Sequence, residues 1–229
     1  RILWEYDATI VHYDHEWEIL KLYDEKDRLH LVPNSIDLER YRGGDTYEWK
    51  YWHRPAILSC DTVRLEKLPA QVIWAMPKIV ERIPDARLNV FALPLEGIST
   101  WRNIFCKAKG RKIEAACENI QFEINDLRPF QKGADMIFNN NMNGIYSRAQ
   151  MEMMAMGKPV IAYDGKYTPY IARIWNLDSI AEQVERCWKD LTAEGSTVKA
   201  DTMKYADENF DRAKAVKLDI AVYEKVLGK

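Results

Sequence analysis

The stretch "NGIYSRAQMEMMAMGKPVIAYDG", residues 143–165, decides how the rest of this chain is read. A polar loop containing Gly144 runs into "RAQMEMMAM" (148–156), a run of mostly strong helix formers without glycine or proline. Gly157 follows, in the position where helices commonly stop with left-handed backbone. "KPVIAYD" (158–164) then reads as a short apolar strand, and "ADMIFN" (134–139) is the strand before the loop. Strand, loop, helix, glycine stop and strand predict one βαβ unit of a parallel sheet. One residue stands out: Glu152 is the single acid of an apolar, Met-rich helix, about one turn in from its start.

The same alternation extends outward. "AILSC" (56–60), "RLNVFAL" (87–93) and "NIQFEI" (119–124) have strand length and composition. "PAQVIWAMPKIVERI" (69–83) reads as a helix with Pro69 in its first turn and a kink or break at Pro77. "GISTWRNIFCKAKGRKIEAACE" (97–118) is mostly helical, interrupted near Gly110, and "RPFQKG" (128–133) is a short helical turn ended by Gly133. Downstream, "LDSIAEQVERCWKDLTAEG" (177–195) sets Ile180, Val184, Cys187 and Trp188 in one stripe, and two more helices close the chain. Upstream, "ATIVHY" (8–13) reads as a strand and "DHEWEILKLYD" (14–24) as a helix. "RLHLVPNSIDLERY" (28–41) is a second short strand stopped by Pro33, and "YRGGDTYEWKYWHRP" (41–55) is a loop. Apolar strands alternating with helices imply an α/β fold: a doubly wound, Rossmann-like parallel sheet covered on both faces. Ligands of such sheets bind at the carboxyl ends of the strands.

Bulk properties narrow the function. The 229 residues are 47 % apolar, enough for a sizeable core. With 33 Lys and Arg against 35 Asp and Glu, the net charge of -2 argues against a nucleic-acid binder working through a basic face. No apolar run approaches the roughly 18 residues a membrane span needs. Cys60, Cys106, Cys117 and Cys187 form no CxxC pair and read as reduced thiols of a cytoplasmic protein. His12, Asp14, His15 and Glu16 of "HYDHE" span a strand-to-helix change and need not converge, so no metal site is expected.

The loop 140–147 would lie at the carboxyl edge of the sheet and feed a helix N-terminus. The first N–H groups there lack intrahelical partners, and the helix dipole adds positive character. Gly144 would let backbone approach a ligand closely. A carboxylate at Glu152 can accept two hydrogen bonds at once, which suits a vicinal diol such as ribose.

These residues resemble the retaining glycosyltransferases of the group 1 family, which have the two-domain GT-B fold. That family carries a Glu, seven residues and a second Glu followed by "AMAxGxPVI"; "MEMMAMGKPVIAYDG" matches the second half, with Glu152 at the second Glu. "LVPNSIDLERY" (31–41) is similar to its "VPNGIDxxxF", and "KGADMIFNNN" to its "ADxxxxPS". "VRLEKLPAQVIWAMPKIVERIPDARLNVFA" is similar to its "GRLxxxKG" segment with the helix and strand after it. The resemblance implies that residues 1–32 end an otherwise missing N-terminal acceptor domain. Residues 33–229 would form the C-terminal nucleotide-sugar-binding domain with its closing helices. It implies transfer of a sugar, with retention, from a nucleotide-diphosphate sugar to a carbohydrate, lipid-linked or protein acceptor. No cofactor or metal is called for. The catalytic group belongs to the missing domain, which leaves room for peripheral membrane association.

Donor-binding roles fall by resemblance on Glu152 for the ribose, on Lys67 and the nearby Arg64 for the diphosphate, and on the N–H groups of Ile145, Tyr146 and Ser147. Ile124 and Asn125 of the loop "INDL" (124–127) would meet the base through their backbone. Two positions depart from the pattern: Gly144 stands where the family has its first Glu, and Thr62 where it has an Arg. A catalytically weak or inactive nucleotide-sugar-binding module is therefore the alternative. A nicotinamide-dependent oxidoreductase is disfavoured, because no GxGxxG follows any expected strand.

Overall fold

The computed structural model of the protein describes residues 6–24, 26–43, 47–60, 67, 70–92, 116–122, 124–142, 145–163 and 167–228. Two parallel sheets carry the fold. The smaller comes first: β1 (Thr9–Val11), α1 (Asp14–Lys21) and β2 (Leu29–Leu31), with Thr9 opposite Leu29. A short helix, α2 (Leu38–Arg42), leads on toward the second sheet. Its six strands are β3 (Ala56–Cys60), β4 (Arg87–Ala92), β5 (Cys117–Phe122), β6 (Met136–Phe138), β7 (Val160–Ala162) and β8 (Tyr170–Ile171). Their spatial order is β5-β4-β3-β6-β7-β8, all parallel. The chain enters at β3, builds outward to β5, then crosses to the other side of β3, so the order reverses between β3 and β6.

Both faces of this sheet are covered, as its sequence requires. Along β3 and β6 the residues alternate: Ile57, Met136 and Phe138 join one core, Leu58 and Ile137 the other. The first core is closed by α3 (Ala70–Arg82) and α6 (Leu177–Thr192), through Ile73, Met76, Ile79, Ile180, Val184 and Cys187. The second is closed by α4 (Arg128–Gly133), α5 (Arg148–Ala155) and α7 (Val198–Asn209), with Met151, Met153, Met154 and Ala206 buried. The last helix, α8 (Arg212–Leu227), turns away and packs Ala215 and Val222 on the small sheet, against Val32, Ala8 and Ile10.

Several local expectations change. Pro77 does not break α3, which runs through it for 13 residues. The fully buried Met76 and Ile79 flank it, and their burial offsets the roughly 3 kcal/mol that an interior proline costs. Gly133 is the last residue of α4 but has no left-handed backbone there; a Cβ at this position would fall on the Trp49 carbonyl, so close packing demands the glycine. Leu38–Arg42 form a helix that the sequence reading does not include, because Asp37 caps the turn by accepting from the Arg40 N–H at 3.2 Å. β5 begins at Cys117, and β8 was not expected. The expected helix 97–118 lies outside the described residues up to Ala115. No helix among the described residues is long and apolar enough to cross a membrane.

Candidate functional site

The tips of the central strands open into a cavity of about 450 Å³. Cys60 ends β3 and Phe91 lies at the end of β4, and both line it. Ile124 and Leu127 follow β5, and Tyr146, Ser147, Arg148, Ala149, Met151 and Glu152 come from the start of α5. Tyr13, Asn34 and Ser35 close it from the small sheet and its connection. Lys67 faces the same space. This is the location the reversal of strand order favours for ligands.

Helix α5 is fixed at both ends. At its C-terminus Gly157 takes φ +74°, its N–H donates to the Met154 carbonyl at 2.9 Å, and the Lys158 N–H donates to Met153 at 2.9 Å. Those two bonds form a Schellman motif. Arg42 of α2 adds a hydrogen bond from its Nε to the Ala155 carbonyl at 3.1 Å. At the N-terminus, Gln150 Oε1 accepts from the Ser147 N–H at 2.5 Å. That N–H is therefore already engaged. The helical ladder leaves over the N–H groups of Arg148 and Ala149, and both residues line the cavity.

The loop before α5 is held by buried asparagines. Asn139 and Asn141 donate through their side chains to the Ile145 carbonyl at 3.3 and 2.8 Å. Asn140 donates to Ser59 Oγ at 2.8 Å, tying the β6 tip to β3 at the point of reversal. Such a connected polar cluster fixes a loop where an apolar core could not.

Glu152 is 9 % exposed and its carboxylate is already partly engaged. Tyr41 of α2 donates to Oε1 at 2.7 Å and Gln131 of α4 donates to Oε2 at 2.8 Å. Each oxygen retains a further acceptor site, so the carboxylate is oriented rather than consumed. Burial, followed by the bond to Glu152 and its charge, pushes the Tyr41 pKa up to about 12. Tyr41 thus remains a donor across the physiological range.

Of the residues expected from the sequence, Glu152, Lys67, Tyr146, Ser147 and Ile124 meet at this cavity. Ile145 faces instead a neighbouring cavity of about 260 Å³, on the other side of Tyr146 and Tyr13. Asn125 is exposed and does not line the main cavity, where Leu127 stands instead. Thr62, Arg64 and Gly144 lie outside the described residues. Sequence reasoning missed Tyr41, Gln131, Tyr13 and Arg148. The capping aspartate in "IDLERY" signals the helix that carries Tyr41; nothing local signals Gln131 or Tyr13, which arrive through tertiary packing.

No protein-family model matches the chain, and no curated protein is similar to it in sequence. Solved structures are similar in shape. A glycosyltransferase from Rickettsia africae ESF-5 superposes with TM-score 0.75 at 12 % identity, over 96 % of this chain and 64 % of that one. Sucrose-phosphate synthase from Thermosynechococcus elongatus gives 0.75 at 16 %, over 99 % of this chain and 60 % of its own. Anabaena HepE, solved in complex with UDP, gives 0.73 at 15 %, over 97 % and 64 %. The chain thus spans less than two thirds of the length of these structures. At such identities the likeness establishes the fold: six parallel strands flanked by helices, as in the Rossmann-like units of GT-B glycosyltransferases.

Proposed function

We propose that this chain is the donor-binding half of a GT-B glycosyltransferase, taking a nucleoside-diphosphate sugar and passing its sugar to an acceptor with retention. The observation that carries this reading is the convergence of the oriented Glu152 carboxylate, Lys67 and the N-terminus of α5 on one cavity at the strand tips. Nucleoside diphosphates present two features to recognise, a vicinal diol and a chain of anionic oxygens. Glu152 accepts from the ribose hydroxyls. Lys67 and the leftover N–H groups of α5 face the diphosphate and stabilise the charge it gains on leaving. With cation and helix dipole in that role, the reading calls for no divalent ion and no cofactor. The base lies along Ile124 and Leu127, and backbone groups there read it.

Residues 1–32 are, on this reading, the end of a preceding acceptor domain, and the large sheet belongs to residues 33–229. The separate two-stranded sheet supports the division. An acceptor-side catalytic group would come from the preceding domain. The reading includes a cytoplasmic location, where nucleotide sugars and reduced thiols such as the buried Cys60 and Cys187 belong together. The alternative, a nucleotide-sugar-binding module without turnover, draws on Gly144 in place of the acid its resemblance implies.

Titration calorimetry with UDP, GDP and ADP tests the binding. One of the three binds, and Glu152→Ala weakens it by about tenfold or more, the scale of a charge-assisted hydrogen bond. The 2′-deoxy form of the same nucleotide binds wild type more weakly and loses less in the variant. Equal affinity for ribo and deoxy forms would remove the ribose assignment. Sugar transfer by the whole protein, with the anomeric configuration of the product, separates enzyme from module.

A further inference from the structure

We propose that Arg148 is a second cation of the diphosphate site, acting with Lys67 from a different element that lines the same cavity. The inference rests on the donor-site reading above and assigns the site a residue on which that reading does not depend. Lys67 follows β3, whereas Arg148 is the first residue of α5; the two line the same space. Among the described residues neither forms an ion pair or a side-chain hydrogen bond. Arg42, Arg54, Arg82 and Arg128 by contrast each hold a carboxylate within 2.7–2.9 Å, whereas Arg40, Arg173 and Arg212 share with Arg148 the lack of an ion pair among the described residues.

The position of Arg148 is also unfavourable for folding. The first turn of α5 contains no acid, so the guanidinium meets the positive end of the helix dipole; the nearest acid of the helix, Glu152 four residues on, is engaged by Tyr41 and Gln131 and forms no ion pair with it. A local rule broken without structural gain is the mark of a functional position. An anionic ligand in the cavity supplies the missing counter-charge. With Lys67, Arg148 and two leftover N–H groups of α5 at its lining, the cavity presents positive charge in a chain whose net charge is -2. The one carboxylate lining it among the described residues, Glu152, is held by Tyr41 and Gln131. A planar guanidinium can grip two phosphoryl oxygens at once, which an ammonium cannot. Arg148 therefore selects ligands with a second phosphate, and Lys67 alone suffices for one.

The test compares UDP, GDP and ADP with UMP, GMP and AMP by titration calorimetry, on wild type, Arg148→Gln and Arg148→Lys. In wild type the best diphosphate binds more tightly than its monophosphate. Arg148→Gln weakens the diphosphate about tenfold or more and the monophosphate less than threefold, and flattens the salt dependence of diphosphate binding. Arg148→Lys recovers part of the loss. Because the side chain is exposed and opposes the dipole, the melting temperature of the ligand-free Arg148→Gln variant stays level or rises slightly. A variant that binds the diphosphate as tightly as wild type, or loses both nucleotides equally, overturns the role of Arg148 while the donor site stands. A wild-type protein that binds none of the six overturns both.

Discussion

The two faces of the large sheet are built to different standards. On the α3/α6 face, Ile73, Met76, Ile79, Ile180 and Val184 interlock over the strands, and the outer edges of the helices are joined by Lys78–Asp178 at 2.6 Å and Arg82–Glu185 at 2.8 Å. On the α5 face the core near the strand tips is interrupted by Gln131, Gln150 and Glu152, each 9 % exposed or less. Burying such groups is unfavourable unless they are paired, and here pairing is incomplete: Gln131 Oε1 and Gln150 Nε2 have no partner among the described residues. On the reading proposed here, one face holds the fold and the other holds the donor site. The difference teaches that Met153 and Met154 of α5 are core filler, while Glu152 beside them, at the cavity, marks the proposed site.

The sharpest way to break that contrast is to damage the quiet face. Ile79 is fully buried in the α3/α6 core. Ile79→Ala is expected to cost about 2–5 kcal/mol of stability, read from urea midpoints, and to leave nucleotide affinity of the folded protein unchanged. If affinity falls as far as in Glu152→Ala, the two faces are coupled and the division is wrong.

The quiet face is also the legible one. Helices α3 and α6 and strands β3 and β4 follow from apolar periodicity alone, because burial on one stripe or on both strand faces leaves that pattern in the chain. The position of α5 and its Gly157 stop are readable for the same kind of reason, a local backbone requirement. The working face is half legible. Glu152 announces itself as an acid among methionines. Its partners do not: Tyr41 lies 111 residues away and Gln131 lies 21 away, and no sequence spacing encodes a contact made by packing. Ser147 shows the opposite failure. It lines the cavity, yet its N–H is taken by Gln150, a capping detail that a dipole argument alone overlooks.

Tyr41 offers a smaller test on the working face. Its pKa is pushed up to about 12 in the folded protein, against about 10 for an ordinary tyrosine. The folded state then holds its proton more tightly than the unfolded state does. The stability this contributes is fully present below about pH 10 and is lost as pH rises toward about 12. Tyr41→Phe removes that contribution, so urea midpoints measured from neutral to alkaline pH decline less steeply than in wild type. Tyr146, also pushed up to about 12 by burial, keeps part of the slope. At neutral pH the variant loses about 0.5–1.5 kcal/mol, the net worth of one hydrogen bond. An unchanged alkaline slope would mean that the phenol does not hold the carboxylate in solution.

The smallest effect is expected from the ion pairs that decorate the quiet face. Arg82 reaches Glu185 at 2.8 Å and Glu182 at 3.7 Å, but its side chain is 36 % exposed. Contact with two carboxylates holds the Arg82 guanidinium above its usual range, and solvent screens most of that gain. A double-mutant cycle of Arg82→Ala and Glu185→Ala should give a coupling far smaller than the loss in Ile79→Ala, shrinking further in about 1 M salt. Were the coupling to match the loss in Ile79→Ala, the α3/α6 face would owe its stability to charge at its rim and not to the aliphatic stripe beneath. The contrast between an apolar face that holds and a polar face that works would then have to be redrawn around electrostatics on both.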